Sequence, residues 1–306
     1  MTDLVTDPEI DADVQRYRVE HRTSYSYGAA MTDGYTVACL VPRPRPWQQV
    51  LESTVSVEPH PSEHDSYLDA FGNLIHEFGV HEPHRAVTVT ARSVVDLGTP
   101  DVPDDDTPWE GVVASLDQAR GKLAIETGFF RSASTFVDLA DLGVALRSIA
   151  ARSFTDGRSI IDGARALCDD IDASFRFDAG FSDVSTPLTY VLSARRGVCQ
   201  DFAHLAIGCL RSIGLAARYV SGYIETEPPP GQIRLEGADA SHAWCSLWTP
   251  RAGWVDFDPT NGLLPITRHI TVAWGRDYAD VTPVRGVMIG PATNQQLAVS
   301  VDVRRV

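Results

Sequence analysis

Cys199 follows Arg196-Gly197-Val198 and opens a stretch whose apolar residues, Phe202, Leu205, Ala206, Cys209, Leu210 and Ile213, fall on one face of a helix closed by Gly214. A cysteine in the first turn of that helix meets unpaired backbone N–H groups and the positive end of the macrodipole, which favour a thiolate over a thiol. It can therefore serve as a nucleophile. The plainer role of a helical cysteine is that of a small buried hydrophobe, and Cys168 and Cys209, each on an apolar stripe, fit it. His242 follows a long loop, Glu225 to Ser241, and opens a strand whose alternate residues Trp244, Ser246 and Trp248 share its face. Such a histidine can take a proton from a thiol and return it to a leaving amine, although a histidine seen alone is more often structural. The next strand, from Trp254, carries Asp256 and Asp258 on one face, and either could accept the other imidazole N–H. Alternation alone does not choose between them.

The rest of the composition narrows the partners. Among 306 residues there are 26 Lys and Arg against 41 Asp and Glu, a formal net charge of −15, so no broad basic surface exists for nucleic acid or an anionic membrane. Met1 to Asp13 has neither the basic nor the apolar region of a secretory signal, and no apolar run approaches the roughly 20 residues of a membrane span. A soluble, cytoplasmic protein is expected. Cys39, Cys168, Cys199, Cys209 and Cys245 are odd in number and contain no CxxC pair, which argues for reduced thiols and against a disulfide framework or a zinc knot. His60, His64, His76, His81 and His84 cluster in sequence but flank prolines or lie on a strand, and are read as solvated surface histidines. Asp104 to Asp106 reads as a solvated charge run. No metal and no cofactor is expected.

These residues need a scaffold. Period-two alternation dominates Gln15 to Leu97: Tyr17, Val19, His21, Thr23 and Tyr25 share one face, Leu51, Ser53, Val55 and Val57 another, and Phe71-Gly72-Asn73 reads as a hairpin turn. Residues 14–97 thus form a smaller β-rich domain, residues 98–108, rich in proline and aspartate, a linker, and residues 109–306 the domain that carries the candidate site. At least two helices are expected within residues 109–175. A short one starts at Thr186-Pro187, with Thr186 as its cap, and ends near Arg196-Gly197. Strands follow at Ala217 to Ile224, His242 to Trp248 and Trp254 to Asp258. Helices followed by antiparallel strands give an α+β fold class.

Arg196-Gly197-Val198-Cys199-Gln200-Asp201-Phe202-Ala203 resembles the nucleophile motif of bacterial transglutaminase-like proteins. Ser241-His242-Ala243-Trp244 resembles their histidine motif, and Trp254-Val255-Asp256-Phe257-Asp258-Pro259-Thr260-Asn261 their aspartate motif, in the same order and at similar spacing. Val220-Ser221-Gly222-Tyr223 and Trp274 to Val281 are also similar to the family, as is the β-rich N-terminal region. The resemblance covers roughly residues 15–97 and 155–290. It implies a papain-like transglutaminase core and a catalytic triad of Cys199, His242 and Asp258, with Asp258 chosen over Asp256. It implies acyl transfer on an amide, a glutamine side chain or a peptide bond in a protein or peptide substrate, with a primary amine or water as acceptor. A cysteine peptidase or amidase with the same triad is the alternative within enzymes, and a protein-binding module with a vestigial triad the alternative outside them. Animal transglutaminases use an upstream tryptophan at the oxyanion, but no tryptophan lies between Trp109 and Trp244. The backbone N–H of Cys199 is the expected donor, with Phe177 and Tyr190 marking the upstream region where a side chain could add to it.

Overall fold

Alternating apolar residues make strands of the first third of the chain, and the computed structural model, which describes residues 14–100, 105–225, 241–264, 266, 268–291 and 294–306, contains β1 (Gln15–Met31), β2 (Asp33–Ala38), β3 (Gln48–Glu58), β4 (Glu63–Leu68), β5 (Leu74–Val80) and β6 (His84–Leu97) there. On β1, Tyr17, Val19, His21 and Thr23 all turn inward, as the period of two requires. The expected common face of Leu51, Ser53, Val55 and Val57 is broken. Pairing of β3 with β6 slips between Val50 and Glu52, so Leu51 is the extra residue of a bulge and is exposed, whereas Val57 is buried.

The helical part contains α1 (Trp109–Gln118), α2 (Gly121–Gly128), α3 (Leu139–Ser153) and α4 (Ile160–Ser174). The side chains of Asp138 and Ser159 accept first-turn N–H groups and set the starts of α3 and α4. The two-residue strands β7 (Arg176–Phe177) and β8 (Arg196–Gly197) flank α5 (Leu188–Ala194). Pro187 rather than Thr186 occupies the cap of α5, and Arg195, with φ 52°, ends it. Then come α6 (Cys199–Ser212), β9 (Ala217–Ile224), β10 (Ser241–Thr249), β11 (Gly253–Phe257), β12 (His269–Gly275), β13 (Val284–Ile289) and β14 (Gln295–Arg305). Residues 226–240 of the expected long loop lie outside the described residues.

Three four-stranded antiparallel sheets result, in the orders β14-β1-β6-β3, β13-β2-β5-β4 and β11-β10-β9-β12. Tyr27, Leu40, Val57, Phe78, Val87 and Val89 belong to one apolar cluster between the first two. The expected assignment of all of 109–306 to one domain needs correction, because β13 pairs with β2 and β14 with β1 along its whole length, from Tyr17↔Arg305 to Tyr27↔Gln295. The edges of β1 and β2 present unpaired N–H and C=O groups, and the end of the chain returns to satisfy them. The linker also differs from expectation. Its residues 101–104 lie outside the described residues, but Asp105 is buried and accepts the backbone N–H groups of Thr107 and Arg251.

In place, α6 is not amphipathic: every residue from Asp201 to Ser212 is buried, because α3, α4 and α5 cover the side turned away from β9 and β10. Arg211 in its last turn is itself buried and donates to the carbonyls of Phe130, Ser132, Ala217 and Arg276 and to Ser134 Oγ. Burial pushes its guanidinium down to about 10. Asn73, at the hairpin turn, donates to Trp274 O at 2.9 Å and accepts Trp274 N–H at 3.0 Å, clamping the N-terminal sheets to β12. Among the described residues no helix is long and apolar enough to cross a membrane.

Arg211→Met strips five acceptors of their donor, with Phe130 O and Ala217 O buried and the other three partly so. It is expected to cost about 3–5 kcal/mol of stability in urea unfolding. A loss under about 1 kcal/mol would show that water replaces the guanidinium freely.

Candidate active site

The start of α6 is built by its neighbours. Phe177 pairs with Gly197, and Asp178 donates its N–H to Gly197 O at 2.9 Å. Val198 is extended, and the helix begins at Cys199. The Asp201 carboxylate accepts Val198 N–H at 2.8 Å and the Ser182 hydroxyl at 2.5 Å, one half of a capping box. Burial raises the Asp201 carboxyl despite those two hydrogen bonds. A Cβ at Gly197 would meet this carboxylate at 2.9 Å, so the position takes only glycine. The remaining first-turn N–H groups have no partner within the helix and flank Cys199. Cys199 is also the one cysteine that is partly exposed; the other four are buried. Burial pushes the thiols of Cys39 and Cys168 up to about 12 and holds those of Cys209 and Cys245 well above the usual thiol range.

His242 is buried in the first turn-out of β10, with Nε2 2.8 Å from Asp258 Oδ2. The Cys199 side chain acts on the same ring, and since Nε2 is held by Asp258, Nδ1 is the nitrogen left for the sulfur. Burial opposes a charge on this ring, but the hydrogen bond to Asp258, with the Cys199 side chain and the charges of both, outweighs it and pushes the imidazolium up to about 10. Asp258 is fully buried. Burial would raise its carboxyl, yet the hydrogen bonds from His242 and His269 hold it well below the usual carboxylate range. Its Oδ2 accepts Asn261 Nδ2–H at 2.6 Å and His269 Nε2 at 2.9 Å besides His242, and its Oδ1 accepts the N–H of Thr260 at 2.9 Å. Its backbone is pinned too, by reciprocal bonds with Leu263 and by the Cys168 thiol donating to its carbonyl at 3.0 Å.

Asp256, the other carboxylate of that face, lies across Trp244 from the histidine. It accepts Trp244 Nε1–H at 3.3 Å and pairs with Arg45 of the N-terminal region at 3.1 Å. Trp244 is buried and stacks on His242 with ring centroids 6.2 Å apart. A Cβ at Gly222 would strike the Trp244 ring at 2.5 Å and Ile270 O at 2.1 Å, so a glycine there gives the tryptophan its place. Trp248, on the same face as His242 by alternation, is six residues along the strand, about 20 Å away. Trp254 is paired with it and sits against Phe130 and Arg218. Neither walls the reaction centre. Tyr190 stacks on Phe181 at 5.1 Å, and it and Phe177 are half exposed.

The histidines of the N-terminal region are spread out. His60 and His64 are exposed, His64 Nε2 meets His76 Nδ1 at 3.0 Å, and His81 Nδ1 lies 3.0 Å from Asp33. His84 departs from the expected solvated state: it is buried against Tyr27 and holds Glu82 O. Among the described residues the one group of three potential metal ligands is His242, Asp258 and His269, already joined by hydrogen bonds. Sequence reasoning missed Asn261, His269 and Cys168 as partners of Asp258. Asn261 could have been found, since it ends the Asp-Pro-Thr-Asn motif; no spacing marks the other two.

Comparison with known proteins bears on the family and the fold. Residues 17–96 match the bacterial transglutaminase-like N-terminal region, and residues 147–259 match the transglutaminase-like superfamily. An uncharacterised protein of Mycobacterium tuberculosis is 42% identical over 298 residues, covering 94% of this chain and 92% of its own. A stretch of 77 residues, 25% of this chain and 12% of the other, is 35% identical to a protein-glutamine gamma-glutamyltransferase of Pseudomonas aeruginosa. A crystal structure of a Cytophaga hutchinsonii protein described as a cysteine protease superposes with a TM-score of 0.72 at 19% identity, covering 96% of this chain and 92% of that one.

Two measurements test the site. Iodoacetamide on the native protein near pH 6 is expected to label Cys199 alone, by peptide mapping, because burial keeps the other four thiols protonated; comparable labelling of Cys39 or Cys245 contradicts this. The second uses stability against pH. The raised His242 contributes stability that is whole below its ordinary 6.5 and fades as pH rises through about 10. The depressed Asp258 contributes stability that is whole above its ordinary 3.8 and fades as pH falls. The melting-temperature gap between wild type and Asp258→Asn is therefore expected to be widest between these limits, and a gap that widens toward pH 10 refutes the pairing.

Proposed function

Because the chain belongs to the transglutaminase-like superfamily, we propose that it is a thiol enzyme that forms an acyl-enzyme at Cys199 from an amide and passes the acyl group to an acceptor. The observation that carries this reading is one connected set: a partly exposed cysteine at the start of a buried helix, whose side chain acts on the ring of a histidine that is in turn held by a buried carboxylate. A vestigial binding module has no use for such a connection.

The chemistry follows from the atoms. His242 Nδ1 takes the Cys199 proton, and Sγ attacks the amide carbonyl carbon. The carbonyl oxygen becomes an oxyanion beside the first turn of α6, where the Cys199 N–H donates to it; one such donor is worth roughly 100- to 1000-fold in rate. The C–N bond then breaks as the His242 imidazolium gives its proton to the departing nitrogen, leaving a thioester. An acceptor amine or water loses a proton to His242, attacks the thioester carbonyl and expels the Cys199 thiolate. Asp258 holds the ring throughout and accepts Nε2–H without taking the proton.

Glutamine side chains are the acyl donor favoured here, supported by the stretch of identity to the Pseudomonas aeruginosa glutamyltransferase. Product partitioning decides the acceptor. A glutamine-containing peptide is incubated with enzyme and rising primary amine, and the substituted amide is compared with free glutamate by mass. Amide product that rises with amine and vanishes in Cys199→Ala is expected; free acid alone at millimolar amine makes the protein a hydrolase.

A further inference from the structure

His269, the first residue of β12, has no part in the steps above. Its Nε2 lies 2.9 Å from the same Asp258 oxygen that His242 Nε2 reaches at 2.8 Å. The two rings are 5.6 Å apart, and Trp244 meets His269 edge-on at 5.0 Å. A carboxylate oxygen only accepts, so each ring brings an N–H to it through Nε2. The opposite nitrogen, His269 Nδ1, is buried and meets no hydrogen-bond partner among the described residues. A proton there would be a buried, cationic N–H without an acceptor, which is far more costly than a bare lone pair. His269 therefore sits as the neutral Nε2–H tautomer. The titratable groups that face it are Asp258 and His242, with Cys199 reached through His242; Arg45 and Asp256 lie beyond Trp244 and pair with each other.

Asp258 does not need His269 to keep its place. Its own turn supplies the Thr260 N–H and the Asn261 amide, and Leu263 and Cys168 hold its backbone. What a third donor does at Oδ2 is draw negative charge from the oxygen that faces the His242 ring. We propose that His269 is a positioning residue for proton transfer, a neutral donor that shares the Asp258 carboxylate with His242 and so weakens its hold on the His242 proton. Without that sharing, His242 would keep its proton to higher pH and too firmly to hand it to a departing nitrogen. This rests on the thiol-triad reading.

The test follows Cys199 alkylation by iodoacetamide against pH, which needs no substrate, in wild type, His269→Leu and His269→Gln, with melting temperatures alongside. In His269→Leu the upper transition of the profile, where His242 loses its proton, is expected to move up by about one pH unit, a tenfold tighter hold. Amide turnover should fall about tenfold, as a proton donor that much weaker requires. Gln carries an amide N–H with similar reach, so His269→Gln returns the transition toward wild type. An upper transition that stays or falls in a folded His269→Leu overturns the proposal. If the leucine variant does not fold, His269→Asn, one methylene short of Asp258, is compared with His269→Gln for the same upward shift. A wild-type profile with no transition assignable to His242 would instead remove the triad reading beneath the proposal.

Discussion

A carboxylate with no exposed side-chain surface is tolerable only if its lone pairs are met by donors, and Asp258 is such a group. Its partners come from four places in the chain: His242 from β10, His269 from β12, Asn261 and Thr260 from its own turn, and Cys168, which secures its carbonyl, from α4. Removing the charge would leave those donors competing for a neutral acid, and removing the donors would force the acid to protonate. The His242 imidazolium, and through it the Cys199 thiol, depends on this buried charge more than on any surface feature.

The N-terminal region reaches the same centre through the loop between β2 and β3. Arg45 holds Asp256, Asp256 accepts the indole N–H of Trp244, and Trp244 packs against both His242 and His269. Beside this chain, Arg43 and Arg218 lie over Trp274 at 3.2 and 3.7 Å, a cation–π arrangement in which Arg218 is buried and its guanidinium pushed well down by burial. With the Asn73 clamp on Trp274 and the return of β13 and β14, the β-rich region is hydrogen-bonded and packed into the part that carries the site. A floor of this kind limits the freedom of His242, and proton transfer over one hydrogen bond tolerates little freedom.

Much of the site was legible in the residues themselves. A glycine, a cysteine and an apolar run at helical spacing can only place Cys199 at a helix start, and period-two alternation can only place His242 on a strand face with Asp256 and Asp258 on the next. Those relations are local, set by 3.6 and 2.0 residues per repeat. The strand content of residues 14–97 and the α+β character are local in the same way. Alternation failed where the backbone inserted a residue, at Leu51, and amphipathicity failed for α6, whose polar-side positions are covered by α3, α4 and α5.

Which strands become neighbours is not written in any local period, and this is where the tertiary structure decided. That Asp258 faces His242 while Asp256 faces Trp244 and Arg45 depends on the register of β10 against β11 and on a loop of the N-terminal region. That His269 joins the same oxygen depends on β12 lying on the far side of β9. That β13 and β14 leave the second half of the chain depends on unsatisfied strand edges some 250 residues earlier. Each of these is a pairing between distant segments, chosen by the sum of hydrogen bonds and buried surface over the whole chain. The identity and spacing of residues determine which groups can do chemistry, and only the packed structure determines which of them share a proton.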